Sequence, residues 1–128
     1  MDAVELKLEA ALRALATLEE LAAPQSKVER DAGIQRFEYT FEAAWKAAQA
    51  YLRQVEGVEA ASPKRAIRES HVAGLLGEQQ AGRALEMADD RNLTAHTYHE
   101  EVADAIAGKL GEYSALIRAW LEAMVAEP

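Results

Sequence analysis

The stretch KVERDAGIQRFEYTFEAAWKAAQAYLRQV, residues 27–55, decides the fold of this chain. Its apolar residues recur at steps of three and four, which places them on one face of an amphipathic helix. That face is the most aromatic in the sequence and comprises Ile34, Phe37, Phe41, Trp45, Ala48, Leu52 and Val55. Tyr39 and Tyr51 lie off this face. We therefore expect a central core helix from about Lys27 to Val55, ended by Gly57.

A second amphipathic pattern precedes the core helix. Its apolar residues alternate steps of four and three, as in the seam between two packed helices, and are Val4, Leu8, Ala11, Leu15, Leu18 and Ala22. We expect this first helix to run from about Asp2 to Ala22, because Pro24 cannot continue it.

Two shorter helices are expected after the core helix. Ser62 can accept hydrogen bonds from the open amides of a helix start, and the proline that follows it fits where no N–H is needed. Gly74 and Gly77 close the short helix that begins there. A further helix is expected from about Gln79 to Asp90.

The last predicted helix begins with a capping box, T-x-x-E, formed by Thr97 and Glu100. An apolar face then continues to the C-terminus through Val102, Ile106, Leu110, Tyr113, Ile117, Leu121 and Met124. These patterns together predict an all-α fold, an antiparallel up-and-down bundle of four main helices plus one short helix. We expect it to form a single domain over residues 1–128.

The oligomeric state is predicted from residues that lie off the main apolar faces. Tyr39 and Trp120 are such residues, and we expect them to lie on exposed apolar surface. Exposed apolar surface of this kind favours association, so we predict a homodimer or a higher even oligomer.

The composition limits the classes of function. No apolar run approaches the roughly 20 residues of a membrane span, and the chain opens directly with an amphipathic pattern, so we expect no membrane association and a cytoplasmic location. The sequence has no cysteine, which excludes disulfides, thiolate metal sites and a cysteine nucleophile. A net charge of -8 means that any RNA contact must be local, and it suits a basic protein partner better.

The most polar segment is DDRNLTAHTYHEEVADAI, residues 89–106. Arg91 is expected at the end of one helix, His96 just before the next, and Tyr98 at its first position, so the three side chains can share one small surface. A guanidinium can clamp a phosphate, and a neutral imidazole near a helix N-terminus can act as a general base. The set therefore suits a phosphodiester, with His96 taking a proton from a 2′-hydroxyl and Arg91 stabilising the phosphorane.

A structural interpretation of the same segment stays open, because polar side chains at helix junctions are usually caps and turns. Asp90 either orients Arg91 or only carries charge near a helix end, and Asn92 lies in the connection. His96 and His99 lack further ligands at suitable spacing, so we expect no metal and no cofactor. The sequence also has no Gly-Ser pair for a nucleotidyltransferase turn, so the chain is not expected to transfer nucleotides itself.

Three blocks of the sequence resemble a known family. RNLTAHTY, residues 91–98, matches the R-x4-H-x-Y motif of HEPN domains. Together with RFEYTFEAAWKAAQAYL (36–52), SPKRAIRESHVAGLL (62–76) and DRNLTAHTYHEE (90–101), it resembles the nucleotidyltransferase substrate-binding family, the HEPN partner of a minimal nucleotidyltransferase in toxin–antitoxin systems.

The resemblance implies a homodimer in which two copies of the motif line a shared cleft, and a minimal nucleotidyltransferase as protein partner. It implies that Arg91 and His96 form a ribonuclease pair. From the residues themselves we expect cleavage without a metal, with Asp90 and Asn92 as supporting residues. Tyr98 corresponds to the tyrosine that the partner adenylylates in some members. The alternative is a non-catalytic substrate-binding or structural helical module.

Overall fold

The computed structural model describes residues 2–126, and all regular secondary structure in that range is helical. The α-helices are α1 (Ala3–Glu19), α2 (Lys27–Tyr51), α3 (Pro63–Val72), α4 (Glu78–Leu93), α5 (Glu100–Ala107) and α6 (Leu110–Ala126). A π-helical turn, Leu52–Glu56, extends α2, and a 3-10 turn, Thr94–His96, follows α4. The all-helical prediction is confirmed.

Short polar side chains begin three of these helices. Asp2, Ser26 and Ser62 each accept a hydrogen bond from the backbone amide three residues later, which satisfies an amide that has no partner inside the helix. The predicted start at Ser62 and its following proline is confirmed. Gly57, at φ 66°, ends the extension of α2 in the left-handed region where glycine is unstrained.

α2 is the centre of the fold and packs against each of the other α-helices. Because it has neighbours on several sides, residues beyond its predicted apolar face are also buried, Tyr51 among them. Gly33 marks a close approach, since an added Cβ there would lie 2.9 Å from Leu110 Cδ1 and 3.1 Å from the carbonyl oxygen of Leu21. The predicted inward position of Val55 is wrong, because its side chain is 45% exposed.

The predicted last helix is two helices, so residues 2–126 hold six α-helices where the sequence predicted five. The interruption lies at Gly108 and Lys109, where the amide of Lys109 bonds to the carbonyl of Ile106, three residues earlier. Glycine has a low helix propensity, and the tighter three-residue bond ends the regular ladder.

The predicted capping box is also wrong. Thr97 Oγ1 donates to the carbonyl of Thr94, at 3.2 Å, and the helix begins at Glu100 with His99 in the cap position. The Glu100 carboxylate instead accepts a 2.7 Å hydrogen bond from Nη1 of Arg30 in α2. Glu100 therefore forms an ion pair with a distant residue, Arg30, instead of the predicted capping hydrogen bond with Thr97.

The sequence predicted that Trp120 is exposed. This prediction is wrong, because the Trp120 side chain in α6 is fully buried. Its indole Nε1 donates a 3.0 Å hydrogen bond to Oγ of Ser70, which is buried in α3. Tyr39, by contrast, is 42% exposed. Across residues 2–126, none of the helices combines the length and the apolar character that crossing a bilayer requires.

Candidate functional site

The junction between α4 and α5 is organised by Thr94, which is buried at the start of the 3-10 turn. Its hydroxyl donates a 2.7 Å hydrogen bond to the carbonyl oxygen of Arg91. The same hydroxyl oxygen accepts a 3.0 Å hydrogen bond from Nη1 of Arg91. The guanidinium is thus fixed against the turn that leads to His96.

Two carboxylates of α2 lie beside the half-buried side chain of Arg91. Its Nε is 3.4 Å from Oε1 of Glu42, and its Nη1 is 3.8 Å from Oε2 of Glu38. Nε is buried and makes no hydrogen bond of good geometry among the described residues. Glu42 is itself held by a 3.1 Å hydrogen bond from Nε1 of Trp45. An anion that binds Arg91 must therefore compete with these carboxylates.

His96 and Tyr98 form the exposed part of the motif. Nδ1 of His96 lies 3.3 Å from the phenolic oxygen of Tyr98, and the two rings meet edge to face. The Tyr98 ring also contacts the ring of His99. Tyr98 is 73% exposed, more than any other tyrosine of the chain. The sequence predicted Tyr98 at the first position of the helix, but the residue lies just before α5, which begins at Glu100.

Arg91 and Asn92 line a cleft of about 240 Å³ between α2, the start of α3 and the end of α4. Lys64 of α3 contributes a second cation to this cleft and is paired with Asp89 at 2.6 Å. His96 and Tyr98 do not line the cleft but lie on the adjoining turn. The structure therefore divides the surface predicted for the motif into two groups: Arg91 bonds to Thr94 in the cleft, whereas His96 contacts Tyr98 on the turn.

Asp90 does not orient Arg91, the role considered for it from the sequence. Its Oδ2 accepts hydrogen bonds from Tyr113 Oη at 2.5 Å and from Lys109 Nζ at 3.0 Å, which ties the end of α4 to α6. Burial of the Tyr113 hydroxyl, and secondly its contact with Asp90, raises the pKa of this phenol well above its ordinary value.

The family of the chain follows from comparison with known proteins. The sequence pattern of the family described as "Nucleotidyltransferase substrate binding protein like" matches residues 6–126, nearly the whole chain. The chain belongs to this family. No curated protein matches it.

Solved structures of similar fold include one of closely related sequence and several distant ones. A crystal structure from Thermus thermophilus is 56% identical, with a TM-score of 0.87, and the match covers 89% of this chain and 98% of that one. The substrate binding domain of a nucleotidyltransferase from Haemophilus influenzae is 22% identical, with a TM-score of 0.76, and the match covers 92% of this chain and 98% of that one.

A further structure of similar fold is a tri-AMPylated HEPN toxin of Shewanella oneidensis in complex with an MNT antitoxin. It is 16% identical, with a TM-score of 0.79, and the match covers 99% of this chain and all of that one. At this identity the likeness shows the fold alone.

Arg30 of α2 is a buried charged residue close to the start of α5, and it was not singled out from the sequence. Its guanidinium donates to Glu100 at 2.7 Å, to Asp104 at 3.0 Å and to Asp31 at 2.9 Å. The hydrogen bond from Arg30 lowers the pKa of Glu100, and these contacts hold α5 against α2. The sequence does contain an indication that Arg30 is buried, because it lies four residues before Ile34 and so falls on the apolar face of α2. A charged side chain buried on that face needs an ionic or hydrogen-bonding partner.

Among residues 2–126, no group of three or more histidine, aspartate and glutamate side chains is arranged to hold a metal ion. The side chains of the described site can bind an anion through Arg91, transfer a proton through His96 and attack an electrophile through the phenol oxygen of Tyr98.

Proposed function

We propose that this chain is the HEPN subunit of a two-component complex with a minimal nucleotidyltransferase, and that Tyr98 is its site of AMP addition. The observation that carries the proposal is the 3.3 Å contact between Nδ1 of His96 and the hydroxyl of an exposed tyrosine. An imidazole at this distance can take the phenolic proton, which turns the phenol into a nucleophile. A HEPN toxin of similar fold is tri-AMPylated in its complex with an MNT antitoxin, which supports AMP addition to a subunit of this fold.

The AMP group comes from ATP, which the nucleotidyltransferase holds as co-substrate. The phenolic oxygen of Tyr98 attacks the α-phosphorus, the new O–P bond forms, and the bond from the α-phosphorus to the bridging oxygen breaks. Pyrophosphate leaves with the bond's electrons, and the phenolic proton passes to His96. The exposure of Tyr98 is what a second protein's active site needs, since a buried tyrosine could not reach the nucleotide.

Within the same proposal, Arg91 and His96 are the ribonuclease pair. His96 takes the proton of a ribose 2′-hydroxyl, that oxygen attacks the adjacent phosphorus, and the bond to the 5′-oxygen breaks. The 5′-oxygen takes up a proton from solvent, His96 releases the proton it took, and one product ends in a 2′,3′-cyclic phosphate. Arg91 stabilises the charge that develops on the phosphoryl oxygens. Asn92 lies beside Arg91 in the cleft and offers an amide to the same RNA.

AMP addition acts as an inhibitor of cleavage in this proposal. A nucleotide on Tyr98 places a bulky anion directly beside His96 and repels an RNA backbone. No change of fold is required, because both side chains are exposed. The chain is proposed to act as one domain and as a homodimer in the cytoplasm.

The second candidate function is a non-catalytic, substrate-binding module of the same complex. It is favoured by the carboxylates of Glu42 and Glu38, which lie beside Arg91 and reduce its attraction for a phosphate. The two candidates share the nucleotidyltransferase partner and differ in whether RNA is cut.

The test is incubation of the purified chain with a minimal nucleotidyltransferase from the same genome and ATP. We expect the intact mass to rise by one or more steps of about 329 Da, one AMP each. Tyr98→Phe should abolish the increase while still forming the complex, and Tyr39→Phe, the other partly exposed tyrosine, should leave it unchanged. An increase that survives in Tyr98→Phe overturns the assignment of Tyr98.

A further inference from the structure

A large cavity lies away from the HEPN motif. It is a groove of about 770 Å³ that runs along most of α1 and is bounded by the π-helical end of α2 and the last described turn of α6. It shares no residue with the segment 89–98. We propose that this groove binds an amphipathic helix with basic flanks, contributed by a protein of different sequence.

The groove has an apolar floor and partly exposed apolar walls. Val4 and Leu8 of α1 are buried at its floor, and Val55 and Val125 form walls that are left partly in contact with solvent. Val55 lies in the π-helical turn that extends α2, and the described residues cover its side chain only partly. The buried floor and the exposed walls together form a contiguous apolar surface, and such a surface indicates a site of protein interaction.

The shape of the groove favours a helical occupant over a compact ligand. Along α1 it is lined at steps of four by Val4, Leu8, Leu12 and Ala16, which spans about 18 Å at 1.5 Å per residue. That length matches a helix that inserts apolar side chains from three successive turns, at positions i, i+3 or i+4, and i+7.

The charges around the groove select a basic partner. Its lining carries the carboxylates of Asp2, Glu5 and Glu9, and the one cation among the described lining residues, Arg13, is already paired with Glu9. The amide of Glu5 donates to Asp2 and lowers the pKa of that carboxyl, so Asp2 is ionised at neutral pH. Lysine or arginine beside the apolar face of an occupant would meet these acids.

The same charges argue against a second copy of this chain as the occupant. A two-fold dimer through the groove would set the identical surface of each copy against the other. The described lining carries three acids, Asp2, Glu5 and Glu9, and one cation, Arg13, so the dimer would bring together two surfaces of net negative charge, which is unfavourable. A partner of different sequence avoids this repulsion.

The probe for the test is a fluorescein-labelled amphipathic peptide of leucine and lysine, about 18 residues long, with leucine on one helical face. Two control peptides replace every lysine by glutamate or scramble the order of the same residues. Fluorescence anisotropy should show saturable binding of the leucine–lysine peptide alone.

The matched variants are Val55→Asp in the groove and Val28→Asp at the other end of α2, where the side chain is 80% exposed. Val55→Asp should weaken binding by about tenfold or more, and Val28→Asp should leave it unchanged. Glu5→Lys should also weaken binding. Circular dichroism melting should be nearly the same for the three variants, because all three positions are at the surface.

Four results would overturn the proposal: no binding of the leucine–lysine peptide, equal binding of the glutamate peptide, equal effects of Val55→Asp and Val28→Asp, or a smaller oligomer for Val55→Asp in light scattering. The last result would identify a second copy of the chain as the occupant. None of these results bears on Tyr98, so the proposed function is tested separately.

Discussion

The hydroxyl of Tyr113 in α6 donates a 2.5 Å hydrogen bond to the carboxylate of Asp90, the residue that precedes Arg91 in α4. Both residues are buried, and Lys109 completes the group with a 3.0 Å contact to the same carboxylate oxygen. The backbone position of Arg91 is thus tied to α6 through its neighbour, while its guanidinium is held by other residues.

This contact predicts a dependence of stability on alkaline pH. The pKa of Tyr113 is raised in the folded chain above the ordinary value of 10.0, chiefly by burial, so from about pH 10 upward the unfolded chain loses this proton while the folded chain keeps it. The stabilisation is fully present below pH 10 and is lost as the pH rises through the folded pKa. Urea unfolding between pH 8 and about pH 11 should show this fall in the free energy of unfolding, reduced in Tyr113→Phe.

The control for this prediction is Tyr98→Phe, which removes an exposed hydroxyl. It should keep the alkaline fall of the parent chain. Equal slopes for the parent and Tyr113→Phe would contradict the assignment of the fall to Tyr113.

The buried hydrogen bond between Trp120 and Ser70 predicts a cost for removing the serine hydroxyl. Ser70→Ala leaves the indole N–H of Trp120 buried without an acceptor, so the free energy of unfolding should fall by about 1–3 kcal/mol. Ser114→Ala is the matched control, because Ser114 donates to the carbonyl of Gly111 in its own helix and its loss deprives no buried donor of an acceptor. Chemical denaturation of both variants measures the difference, and similar losses would contradict the argument.

The proposed ribonuclease pair predicts that His96→Ala reduces RNA cleavage by about 10²- to 10⁴-fold while the melting temperature is nearly unchanged, because His96 is exposed. The control is His99→Ala, an exposed neighbour that should retain cleavage. Products should carry 2′,3′-cyclic phosphate ends, and EDTA should not inhibit. Cleavage that persists in His96→Ala, or that EDTA stops, would show that another group does the chemistry.

The homodimer stays a prediction, but the structure changes which exposed apolar residues can form its interface. Trp120 is buried and no longer contributes, whereas Leu93, beside the motif, is 44% exposed. A dimer whose two motifs share a cleft would cover Leu93. Light scattering should give about twice the chain mass of 14.0 kDa, and Leu93→Glu should return it to the monomer.

The control for the dimer is Val72→Glu, because Val72 is an exposed valine of α3 away from the motif. It should remain dimeric. A parent chain that scatters as a monomer at micromolar concentration would refute the prediction outright.

The sequence by itself determined the helical class, the central position of α2 and the start of α3 at Ser62. These features follow from local physics, since apolar spacing reports which face of a helix is buried, and a serine followed by proline satisfies the first amides of a helix wherever it folds. The R-x4-H-x-Y motif was also readable, because contiguous residues keep their spacing in any fold.

Only the tertiary structure decided what the polar side chains bind. Glu100 is captured by Arg30, seventy positions earlier in the chain, and the capping box with Thr97 therefore does not form. Asp90 bonds to Tyr113 and Lys109 rather than to Arg91. A carboxylate can accept from any donor that the fold brings within reach, and periodicity along one helix holds no information about donors on another.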